Sequence, residues 1–140
     1  MKDILKLARI QIALIALFVL FKLIRPTILE SNSPEWIKTT LLSLPNFFEA
    51  VIGTLILTGI GLYINLKILS KKRQIRVNVL YVIATIIGGV YVITQELKIH
   101  NLGGNNVFDK NDILFSIVGL IIGYLILICI KPTIYQTIEE

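Results

Sequence analysis

Long uncharged runs set the pattern of this chain. Ile113 to Ile130 is 18 residues without a charge, closed by Lys131 and Pro132. Val77 to Gln95 is equally free of charge between Arg76 and Glu96, and Phe47 to Leu69 keeps its charges, Glu49 and Lys67, to its two ends. Crossing the hydrocarbon of a bilayer takes about 20 apolar helical residues. Each run therefore predicts a transmembrane helix, over about 47–69, 77–96 and 112–131. Near the start, the apolar run Ile10 to Phe21 is only 12 residues long. It reaches membrane width, over about 7–29, by taking in Lys22 and Arg25, whose long stems carry their charges back to the headgroups. Pro26 marks a place for a kink. Lys2, Lys6 and Arg9 ahead of this run imitate a secretory signal, but no small-residue cleavage site follows, so the segment is expected to stay as the first span.

Between the first two spans, Ser33-Pro34-Glu35 has the form of a helix start: a capping hydroxyl, a proline at the first helical position and an acid in the first turn. Trp36, Ile37, Leu41 and Leu44 would then face lipid, with Trp36 at headgroup level. The expectation is a short interfacial helix ending before Pro45, the alternative an irregular loop. The fold class that follows is all-α: an integral membrane bundle of four transmembrane helices, with an interfacial helix in the first outer loop.

Composition agrees with that class. In 140 residues, 55% are hydrophobic, more than one small soluble core hides from water, and four spans leave no room for a second domain. The net charge of +5 raises nucleic acid as a partner. Its cations, however, sit at the ends of apolar runs rather than along a polar face, so membrane lipids are the expected partners and nucleic acid is not. Cys129 is the only cysteine and lies inside an apolar run, where it reads as packing.

Orientation follows from the lysines and arginines near the membrane. Lys2, Lys6, Arg9, Lys67, Lys71, Lys72, Arg73, Arg76 and Lys131 fall on one side, against Lys22, Arg25, Lys38, Lys98 and Lys110 on the other. The first group marks the expected cytoplasmic face, with both termini there. In the loop of that face, Lys67, Lys71, Lys72, Arg73 and Arg76 would lie against lipid phosphates. Helices associate in lipid through small residues that let backbones approach. Ser116 with Gly119-x-x-x-Gly123, Ala84-x-x-x-Gly88 and Ala50-x-x-Gly53 mark three such faces.

Polar residues gather at the opposite, outer ends of spans two to four: Asn46, Glu49, Gln95, Glu96, His100, Asp109 and Asp112. Two readings stand for them. Asn46 with Glu49, and Asp109 with Asp112, have the spacing of a cap and an acid three residues later. Alternatively Glu96, Asp109, Asp112, His100 and Glu49 bind a ligand. Glu96 ends its helix where the dipole disfavours an anion, so Lys98, His100, Arg25, a metal ion or water is expected to stabilise it. One histidine and scattered acids do not define a metal site, and Asn101 to Asn106 reads as a glycine- and asparagine-rich turn, not a nucleotide-binding loop. No nucleophile is paired with a base, and no cofactor fingerprint is present.

Glu96, followed by Asp109-Lys-Asn-Asp112 and then Ser116-Ile-Val-Gly119-Leu-Ile-Ile-Gly123, resembles the end of VanZ-like membrane proteins. In that pattern a glutamate closes one span, and a D-x-x-D precedes an N-x-x-G-x-x-x-G helix. The resemblance covers about residues 90 to 127. Ile99 stands where the pattern has glutamine, Asn106 where it has arginine and Ser116 where it has asparagine. The family takes its name from a protein associated with teicoplanin resistance. The resemblance implies a small non-enzymatic or accessory protein of the cell envelope, engaging an envelope component or a glycopeptide-like ligand without a cofactor. Three alternatives remain: a small dimeric proton-coupled transporter, a membrane enzyme acting on lipid-linked substrates, and a structural subunit packed on itself or on another membrane protein. Transport needs a carboxylate deep in a span, and Glu49 is expected about one turn from the membrane edge.

Overall fold

The computed structural model describes residues 2–97 and 109–132, the side chains of Lys2 and Asp3 excepted. Lys98, His100 and the turn at 101–106 lie outside the described residues. Four helices are formed: α1 (Lys2–Glu30), α2 (Glu35–Tyr63), α3 (Val77–Glu96) and α4 (Lys110–Ile130). Among the described residues there is no strand. Each helix is long and apolar enough to cross a membrane, so the chain is a four-helix integral membrane bundle.

The separate interfacial helix is absent. α2 runs unbroken through Pro45 and continues as a π-helical turn, Ile64–Ile68. The whole rod spans 34 residues, about 50 Å at helical rise, well beyond the roughly 30 Å of hydrocarbon. The segment around Trp36 is thus the overhanging end of the second span. Proline removes one backbone hydrogen bond, and the helix persists because its flanks are held by neighbours. Leu41, Ser43, Phe48 and Ala50 are all buried. The Phe48 ring also meets Phe18 and Phe21 of α1, with centroids 5.4 and 6.2 Å away. Ser33 is not the cap either: its hydroxyl pairs with that of Ser31, and Pro34 occupies the cap position without a side-chain bond.

α2 is the central helix. α4 lies along it, α3 packs on both, and α1 leans on α2 with only slight contact to α4. Small residues permit the close approaches. A Cβ on Gly119 would stand 2.5 Å from the Phe47 carbonyl oxygen and 2.9 Å from the Ala50 Cβ, so the α4 backbone rests directly on that of α2. A Cβ on Gly123 would meet Thr54 at 3.1 Å, and one on Gly88 would meet the Thr54 hydroxyl at 3.4 Å. Thr54 therefore sits where α2, α3 and α4 converge. Its hydroxyl donates to the Ala50 carbonyl and that of Thr58 to the Thr54 carbonyl, which satisfies both inside the bundle. Ala84 is buried, whereas a Cβ added at Gly53 would meet nothing within 4 Å, so that position faces open space.

Two fastenings close the end that carries the basic loop. The Asn65 carboxamide donates to the Ile75 carbonyl at 2.9 Å and accepts from the Ile75 N–H at 2.7 Å, tying the loop to the end of α2. The Tyr81 hydroxyl donates to the Pro132 carbonyl at 2.8 Å, holding the end of α4 to α3. Lys131 adopts a left-handed conformation (φ 48°) and terminates α4.

Candidate functional site

Helix contacts set the heights of the acids. Gly123 and Gly88 both meet Thr54, and Gly119 meets Phe47, so α2 and α4 run parallel with α3 antiparallel between them. At 1.5 Å per residue this register puts Glu96 about 8 Å, and Glu49 about 12 Å, below the first residue of α4. Glu49 is therefore about two turns inside the bundle, deeper than its position in the sequence implied. The cap expected at Asn46 is also excluded, because Asn46 and Glu49 both lie within the unbroken α2.

Asp109 does cap α4, its Oδ1 accepting from the Asn111 N–H at 2.9 Å, with Asp112 in the first turn. Glu96 ends α3 and is 8% exposed, with no hydrogen-bond or ion-pair partner among the described residues. The charges of Asp112, Glu49 and Asp109 all act on it, in falling order of strength. The end of α3, the start of α4 and the middle of α2 thus bring four carboxylates into one field. Lys22 of α1 acts on Glu49 from the other side of α2 and also lies over the Phe18 ring, 5.9 Å from its centroid.

Two enclosed serines lie near the acids. Ser116 is one turn below Asp112 on the same face of α4, and Ser43 one turn above Phe47 on α2. Both are fully enclosed, and neither hydroxyl finds a hydrogen-bond partner. An unsatisfied hydroxyl costs about 1–3 kcal/mol where water is excluded, so these two mark unmet polar demand at the acidic end. Ser116 was visible in the sequence only as a small residue, and Ser43 was hidden in the segment read as interfacial. Asn65 carried a signal, as an uncharged polar side chain inside an apolar run.

A furrow opens on the outer face between α2 and α3. Its upper part, about 290 Å³, is lined by Glu49, Gly53, Leu57, Ile87 and Tyr91 among others. A lower part of about 230 Å³ shares Leu57 and Ile87 and reaches Ile64 and Leu80. At the opposite end of the bundle Lys67, Lys71, Lys72, Arg73 and Arg76 are all exposed, and Lys71–Arg73 form a single 3-10 turn. Among the described residues no group of three histidines, cysteines or acids is placed to hold a metal ion. No protein family, characterised protein or solved structure matches this chain.

Proposed function

We propose that this chain is a small VanZ-like membrane protein that works by binding rather than catalysis, its acidic end outward, engaging an envelope component or glycopeptide-like ligand that presents positive charge. One observation carries the reading: Glu96 is buried, without a partner among the described residues, in the combined field of Asp112, Glu49 and Asp109. A carboxylate so placed gains most from an external cation, because desolvated charges attract strongly once paired. The excess of lysine and arginine at the other end supports the orientation, and the unpaired Ser116 hydroxyl adds a donor near the same place.

The test uses Glu96→Gln with Asp109→Asn, since asparagine caps a helix as well as aspartate. The double variant should insert normally yet lose any teicoplanin tolerance that the parent chain confers on a host. Unchanged tolerance in the double variant overturns the reading. For orientation, a cysteine replacing Lys72 in a Cys129→Ala background should resist a membrane-impermeant thiol reagent added to intact cells.

The depth of Glu49 favours one second reading, a dimeric proton-coupled transporter. A carboxylate about two turns inside a span is where such carriers bind their proton. Proton-driven dye uptake into vesicles that disappears with Glu49→Gln would establish it.

A further inference from the structure

We infer that the furrow between α2 and α3 is a lipid site that takes one acyl chain of a phospholipid with an ammonium headgroup. The furrow runs from Glu49 to Ile64 along α2, about 22 Å at helical rise, more than the roughly 15 Å of one leaflet's hydrocarbon. Its walls are apolar throughout except at the upper end, where the Glu49 carboxylate and Tyr91 stand. Charge complementarity selects the occupant. Lys22 acts on Glu49 from α1, but Glu96 at the end of α3 shares the field of Glu49, and Asp112 and Asp109 at the start of α4 add to it. An anionic head is repelled there and an ammonium attracted.

Gly53 is what keeps the furrow open. A Cβ at Gly53 meets nothing within 4 Å, whereas one at Gly61, lower on the same wall, meets Leu80 at 3.0 Å. Glycine at position 53 therefore serves no helix contact and leaves room for a chain that is not protein. The inference rests on the proposed reading through the acid cluster, of which Glu49 alone lines the furrow. Gly53 is untouched by that cluster, which separates the two tests.

The experiment uses the full chain in phosphatidylcholine vesicles containing a photoactivatable phosphatidylethanolamine or phosphatidylglycerol, each with its reactive group on the acyl chain. Phosphatidylethanolamine should crosslink to peptides around Gly53 to Leu57 and Ile83 to Tyr91 in preference to α1. Gly53→Leu should abolish those crosslinks while helical content and detergent elution stay unchanged, because the new side chain enters open space. Glu49→Gln should keep chain binding but lower the preference for phosphatidylethanolamine over phosphatidylglycerol about tenfold, the value of one charge-assisted hydrogen bond. Crosslinks spread evenly over all lipid-facing helices, or unaffected by Gly53→Leu, overturn the site. Equal capture of both headgroups by the parent chain overturns the ammonium assignment. Glu96→Gln with Asp109→Asn should leave the crosslinks in place but lower the preference for phosphatidylethanolamine; an unchanged preference overturns the ammonium assignment.

Discussion

α1 and α4 are both long enough to cross a membrane and both strongly apolar, with mean hydropathies of 2.2 and 3.0, yet they are held in different ways. Only 6% of the apolar stretch of α1 is buried, against 28% for α4. Apolarity does not drive helices together in lipid, because acyl chains solvate leucine as well as a neighbouring helix does. Shape decides instead. α4 offers Ser116, Gly119 and Gly123 in a stripe, and its backbone settles on Phe47 and Thr54. α1 has no glycine. It is attached mainly through Leu7 in the cluster with Val51, Leu55, Tyr81 and Leu127, and through Phe18 and Phe21 on Phe48.

The contrast breaks most decisively at Gly119. Gly119→Ala should cost about 3 kcal/mol, since the added methyl meets a backbone carbonyl that has no rotamer to give; reversible unfolding in mixed micelles measures it. Gly123→Ala should cost less, about 1 kcal/mol in the same assay, because the Thr54 side chain it meets at 3.1 Å can shift by tenths of an ångström. At the other extreme, Leu23→Ala on α1 should stay within about 0.5 kcal/mol, as Leu23 is 70% exposed and its contacts are with lipid. A large loss at Leu23 would mean that a partner covers α1.

Much of the architecture was legible because charge bounds the spans. Val77–Glu96 falls between Arg76 and Leu97 as the uncharged run requires. Pro45 was misread because proline's local cost was weighed without the buried residues on either side of it, contacts that only the packed bundle reveals. The cap expected at Asn46 failed for the same reason: the helix runs through position 46, so no helix start exists there and Glu49 sits about two turns below the first residue of α4. Ala50 and Gly53 do share a face, since three residues along a helix end only about 60° apart; both line the furrow, and Ala50 alone also meets α4 at Gly119. At the candidate site, the caps around α4 could be anticipated from spacing. The isolation of Glu96 and the idle hydroxyls of Ser43 and Ser116 could not, since both depend on what other helices fail to provide.

The Asn65 carboxamide occupies both hydrogen-bonding groups of Ile75, so the corner between α2 and α3 behaves like the spine of a book. Prising that corner apart would strand two amide contacts at once. Any parting of these two rods is easiest towards their other ends, on the side of Glu49 and Glu96. A guest molecule would accordingly enter and leave from the carboxylate end, headgroup last in and first out.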